Sequence, residues 1–193
     1  GSALLALVLA NSGRVLDRFA EELDTARALA TGEIAYDRDS SLSLRLHAQL
    51  YGLEAWSERP WLGWGAGTTR SLMEASGELA LRSPEGIVLK HLHNTYLEAA
   101  VQLGLGGLVL FLALHLGLIG LVARRLASAD DASTGDSDRD CLIFLLAALV
   151  LLLVWDLFDY RLVRQDWRGY WTLLAGAALS LGLRSGLRPS ARR

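Results

Sequence analysis

Residues 103–123 form a run without a charged side chain, interrupted only by His115 and closed by Arg124 and Arg125. A helix that crosses a hydrocarbon layer needs about 20 predominantly apolar residues, so this run has the length to span. Basic residues collect on the cytoplasmic side of a membrane, which orients the span with Arg124 and Arg125 inside. Composition agrees, because 52% hydrophobic residues among 193 is too apolar for an ordinary soluble domain. The formal net charge of −2 hides arginines gathered at segment ends, a pattern of topology and not of nucleic-acid binding. Cys141 is the single cysteine, so neither a disulfide framework nor a thiolate metal cluster is available.

Laid out from that anchor, the chain is predicted to be all-α and polytopic, with about three spans and a helical loop. Residues 1–10 are apolar but short, and are expected to be the end of a truncated transmembrane helix. Residues 11–102 form an extracytoplasmic loop, 124–140 a cytoplasmic connector, 141–158 a second span and 159–169 an outer turn. Residues 170–184 make a third span and 185–193 a cytoplasmic tail rich in arginine. Within the loop, Val15, Leu16, Phe19, Leu23, Ala26 and Leu29 recur at helical spacing, predicting a helix able to lie along the membrane surface. Leu42, Leu46, Leu50, Leu53 and Trp56 predict a second helix that follows serines able to cap and stops before Pro60, with Arg45 in its first turns. The following stretch, Trp61 to Gly67, alternates glycine with residues that include Trp61 and Trp64, and suits the bilayer boundary.

The loop meets the span at His91-Leu92-His93-Asn94-Thr95-Tyr96-Leu97-Glu98. Thr95 and Glu98 have the spacing of a capping box, which predicts a helix starting there. His93 then lies beside the positive end of the helix dipole, which disfavours imidazolium and leaves a neutral ring able to take a proton. The same helix end can receive a phosphate or pyrophosphate group on its open amides. Two readings of His93 stand here, a proton acceptor and a histidine that caps its own helix. Arg45 likewise reads as an anion ligand or as a solvated arginine on an amphipathic helix. His91 and His93 are expected on different faces, with no Asp, Glu or Cys at ligand spacing, so no metal site is expected. His115, inside a span, should face the bundle interior, and Asp156 and Asp159 read either as part of an acceptor pocket or as a solvated helix end paired with Arg161. The glycines at 63, 65 and 67 are not read as a nucleotide loop, since no strand precedes them and no Lys-Ser or Lys-Thr follows.

His93-Asn94, nine residues, then Gly104-Leu105-Gly106-Gly107 resembles the signature of the bacterial O-antigen ligase and polymerase family. The segment from Ser43-Leu44-Arg45 through Trp56, Pro60, Gly63 and Gly65 is similar to the arginine helix and Pro-x-x-Gly-x-Gly turn of that family's periplasmic loop. Gln102 stands where members often carry glutamate. The resemblance covers roughly residues 40–122. It implies a GT-C-like inner-membrane glycosyltransferase, multi-pass, with its active loop in the periplasm. The implied reaction moves a glycan from an undecaprenyl pyrophosphate carrier to an acceptor hydroxyl, with inversion and without metal, cofactor or nucleic acid. His93 would be the catalytic base, Arg45 and Asn94 would bind substrate, and Gly63, Gly65, Gly104 and Gly107 would shape the motif. The implied partners are the undecaprenyl-pyrophosphate-linked glycan donor, a lipid A core or glycan acceptor, and the membrane. Polymerisation of the polysaccharide is the alternative activity, and a non-catalytic protein that binds or transports lipid-linked glycan is the alternative from another class.

Overall fold

A computed structural model describes residues 17, 20, 23, 27, 40–128, 136–160 and 165–183. The first predicted amphipathic helix and the apolar segment at 1–10 lie outside the described residues, apart from Asp17, Ala20, Leu23 and Arg27, which are helical and exposed. Five α-helices follow in chain order: α1 Ser41–Glu58, α2 Thr69–Ser76, α3 Thr95–Ala127, α4 Asp136–Trp155 and α5 Gln165–Leu183. A 3-10 turn at Leu79–Leu81 follows α2, and among the described residues the one β-type pairing is an isolated bridge between Arg82 and Val88.

α1 forms where leucine periodicity predicts it. The Ser40 hydroxyl accepts the Ser43 N–H at 3.2 Å, satisfying one of the open amides at the helix start. Its small buried face, Ser43, Ala48, Gly52 and Ala55, lets it lie close against the beginning of α3. There Met73, Leu81, Val88, Leu92 and Val101 complete a core, flanked by Tyr51, Trp56 and Trp64. Burying a side chain as large as Leu92 or Met73 contributes about 1.5–3 kcal/mol, which makes the loop a folded layer and not a tether.

α3 is the helix predicted at 103–123, begun eight residues earlier at Thr95. It is among the described residues the one helix long and apolar enough to cross a membrane. Only 11% of its most apolar stretch is buried against the other described residues, whereas the core helix of a soluble fold is mostly buried. Behind it, α4 and α5 pack through Leu142, Leu145, Leu149 and Leu152 on one side and Leu174, Ala175 and Ala178 on the other. Ala175, Ala178 and Gly182 recur on one face of α5, and a Cβ at Gly182 would lie 2.5 Å from Leu121 Cγ, so small residues set how closely α5 approaches α3. α4 starts five residues before the apolar run at 141–158 and ends three residues short of it. His115 faces the bundle interior, fully buried between the rings of Phe111 at 5.5 Å and Trp171 at 6.2 Å.

Between the two layers, α3 is broken at Gly104, whose φ of 68° and ψ of −168° interrupt the helix. The break frees backbone groups, and the turn after α1 takes them up. Trp64 N–H donates to the Val101 carbonyl, Gly65 N–H to the Gln102 carbonyl, and Leu105 N–H to the Pro60 carbonyl, each at 2.8 Å. The approach leaves no room for side chains at the crossing. A Cβ at Gly63 would lie 2.6 Å from Gly104 N, and one at Gly104 would overlap the Trp61 carbonyl. Trp64 closes the seam, its indole N–H donating to the Ala55 carbonyl at 2.7 Å beneath the Arg59 guanidinium, 4.0 Å from the ring centre.

Candidate active site

α1 and the first part of α3 run in the same direction, with Gly52 beside Leu97 and Pro60 beside Leu105. The head of α3 therefore lies beside the middle of α1, and the segment 91–94 that precedes it runs past the first half of α1. Its conformation is set from inside. Glu98, 2% exposed, reaches back from α3 so that Oε2 accepts the Leu92 N–H at 2.9 Å while Oε1 accepts Gln102 Nε2 at 2.7 Å. Leu92 points into the core, and His91 and His93 flank it.

The predicted capping box is corrected by one residue. Asn94, not Thr95, is the N-cap, its Oδ1 accepting the Leu97 N–H at 3.0 Å. Asn94 is a stronger cap than Thr, and it frees Thr95 for another task. Thr95 N–H donates to the Asp156 carbonyl at 2.8 Å, and Thr95 Oγ1 lies 2.9 Å from both Asp156 Oδ1 and the Asp159 carbonyl. Tyr96 OH donates to the Leu153 carbonyl at 2.5 Å. The head of α3 is thereby fastened to the end of α4, and Asp156, expected at a solvated helix end, is buried at 3% exposure.

That fastening brings Asp159 to the histidines. His93 Nδ1 stands 3.8 Å from Asp159 Oδ1, and the His91 and His93 rings touch with centroids 4.3 Å apart. The expectation that the two histidines point to different helix faces fails because both precede the helix, and His93 takes a left-handed φ of 54°. Holding a non-glycine residue there costs about 1–3 kcal/mol, a strain that tends to be kept at functional sites. The expectation that no acid completes a metal set fails as well, since donor atoms of His91, His93 and Asp159 all lie within 4.8 Å of one another.

Both rings are held neutral. Burial, then the neighbouring His91 and the Arg45 charge, pull His93 from the ordinary 6.5 down to about 4, against an opposing pull from Asp159. His91 is lowered chiefly by burial. Yet the His93 side chain keeps 23% exposure, enough to be reached. Arg45, exposed on α1, is near enough for its charge to act on both rings. Gln102 joins no histidine; its Oε1 accepts the Gly67 N–H at 2.7 Å and its Nε2 reaches Thr69 Oγ1 at 3.2 Å as well as Glu98. Gly107 sits one turn beyond the break, where a Cβ would meet Leu103 Cβ.

A groove of about 560 Å³ opens beside this cluster, lined by Leu53 and Trp56 of α1, by Leu97, Leu108 and Leu112 of α3, and by Asn94 at its head. Arg45, Gln49, Leu53 and Trp56 follow helical spacing along one face of α1, so the arginine stands at the head of the stripe that lines the groove.

Residues 1–112, more than half of the chain, match the family model described as O-antigen ligase. The chain belongs to the O-antigen ligase family. None of the curated proteins compared with it matches. Membership of the O-antigen ligase family supports a ligase- or polymerase-type role in O-antigen biosynthesis and, with the apolar helix α3, membrane association. The matched segment contains Arg45, the glycine turn, His93-Asn94 and the break at Gly104, and ends before Asp159. Asp159 is the residue that sequence reasoning undervalued. Its sole sequence signal was an acid just outside a span, which a solvated helix end shows equally.

Proposed function

We propose that this O-antigen ligase family member transfers a glycan from an undecaprenyl pyrophosphate carrier to an acceptor hydroxyl at the periplasmic face of the inner membrane. The observation that carries the reading is a neutral, part-exposed His93 within reach of the Arg45 charge, one residue before Asn94, which lines an apolar groove. His93 takes the proton of the acceptor hydroxyl as its oxygen attacks the anomeric carbon from the face opposite the pyrophosphate. The anomeric bond breaks, the electron pair leaves on the pyrophosphate, and the configuration inverts. Arg45 binds that leaving group, whose charge grows in the transition state, so the guanidinium contact strengthens as the bond breaks. Asn94, its oxygen committed to the cap, keeps an amide N–H for the same anion. The apolar groove takes the start of the polyprenyl chain, and α4 and α5 cross the membrane with α3. No step in this scheme draws on a metal.

A base with a pKa of about 4 is weak for work near neutrality, where catalysis favours a matched value. Binding the donor corrects this, because the pyrophosphate offsets the Arg45 charge and its own negative charge favours imidazolium. The proton acceptor is therefore tuned by its substrate. Ligase and polymerase differ here in the acceptor alone, and the lipid A core is the acceptor proposed.

The test is complementation of a surface-polysaccharide ligation defect by the full-length parent protein, with His93→Ala and Arg45→Ala compared at matched membrane levels. Loss of a general base lowers the rate roughly 10²–10⁴-fold, so undecaprenyl-linked donor should accumulate in the His93 variant. Full ligation by that variant would remove the base and leave a protein that binds or transports lipid-linked glycan.

A further inference from the structure

We infer that His91, His93 and Asp159 form a binding site for a divalent transition metal of the zinc class. Two imidazoles and a carboxylate are the ligand types that zinc takes, and three protein ligands leave a fourth position open. The donor atoms lie within 4.8 Å of one another, and the His93 Nδ1 to Asp159 Oδ1 distance of 3.8 Å is longer than a hydrogen bond. At metal–ligand bonds of roughly 2.0–2.1 Å, tetrahedral donors sit about 3.4 Å apart, so small side-chain rotations close the set around an ion. All three residues are part-exposed, which gives an ion a way in.

The ligands are also held from behind, as metal ligands must be. Glu98 fixes the backbone between the two histidines through the Leu92 N–H. Thr95 fixes the Asp159 carbonyl, and Asp159 Oδ1 accepts the Tyr160 N–H at 2.8 Å, which orients the carboxylate. Nothing in the sequence spacing announces this set, because Asp159 arrives from the end of α4 while the histidines precede α3. The Arg45 charge opposes a cation here, as it opposes imidazolium, and keeps the site from high affinity. One consequence rests on the reading of His93 as the base: a ring whose lone pair is given to a metal cannot take a proton, so zinc should inhibit transfer and a chelator restore it. The binding itself does not depend on that reading.

The probe is cobalt(II) added to the purified, chelator-treated full-length protein in detergent, with visible absorption reporting coordination and zinc(II) added as competitor. Wild type should give a saturable tetrahedral spectrum that zinc abolishes. His91→Gln and Asp159→Asn, chosen to keep the segment folded and checked by unaltered thermal unfolding, should each weaken binding by at least about tenfold. Zinc inhibition of glycan transfer that disappears in His91→Gln would support the site and the base together. A cobalt spectrum that depends on these residues, without inhibition, would uphold the site and overturn the base. No spectrum beyond that of the free ion at about 1 mM metal, or one unchanged in both variants, would overturn the site.

Discussion

Replacing Gly104 by alanine should cost about 3–5 kcal/mol, and replacing Gly106, two residues on in the same motif, should cost nothing. At Gly104 the backbone lies in a region essentially closed to other residues, worth about 1–3 kcal/mol on its own. The new Cβ would also overlap the Trp61 carbonyl, forcing apart a crossing held by three backbone hydrogen bonds of 2.8 Å, each worth about 1 kcal/mol. A Cβ at Gly106 meets nothing within 4 Å, and its backbone is ordinary helix, where alanine gains about 0.5–1 kcal/mol over glycine. Thermal unfolding of the purified protein, followed by tryptophan fluorescence, reads the difference, since Trp64 lies in the seam that would open. Equal melting of the two variants would refute the account, because it would mean that α3 is not broken at Gly104 against the turn.

If His93 is the base, the acid limb of kcat/KM for the free enzyme should fall through about pH 4 and not through the ordinary 6.5; Arg45→Ala, removing a charge that lowers the ring, should move the limb up, and Asp159→Asn should move it down. The unfolded chain binds a proton at His93 near 6.5 and the folded one only near 4, so stability should drop as pH falls across that window, measurable by melting at pH 7 and pH 4.5. Glu98→Ala should destabilise the loop by about 1–3 kcal/mol, since it leaves the buried Leu92 N–H unpaired while the Gln102 amide keeps Thr69; melting no different from wild type would sink this. Leu108→Trp, filling the groove, should raise KM for a long-chain donor more than for one with a shortened prenyl chain, and equal effects would remove the groove from donor binding.

Helices whose apolar residues repeat locally were legible: α1 from its leucines and α3 from its uncharged run. The cap was misread by one residue because Asn94 and Thr95 are both good N-caps, and only the demand of Asp156 for a hydroxyl partner separates them. The glycines at 63 and 104 were recognisable as a pattern, but not as neighbours, since contact between residues forty positions apart leaves no periodic trace. Asp159 was undervalued for the same reason. Its approach to His93 depends on α4 ending where Thr95 and Tyr96 can hold it, a fact of packing that the leucine-rich sequence of α4 does not encode.

The two sequence motifs act as one device once the crossing at Gly104 is understood as a register lock. The turn at 60–65 joins α3 at carbonyls 101 and 102, so α1 can lie along α3 in a single alignment. Arg45 is fifteen residues before Pro60, about 22 Å away along a helix rising 1.5 Å per residue, and each residue of slip would turn it by about 100°. Three hydrogen bonds and two facing glycines at one end of α1 therefore help set whether the arginine at the other end keeps its charge within reach of His93. A helix break at Gly104, far from any reacting atom, is in this account a condition for the proposed chemistry, and the glycine turn should matter to activity even where the protein still reaches the membrane.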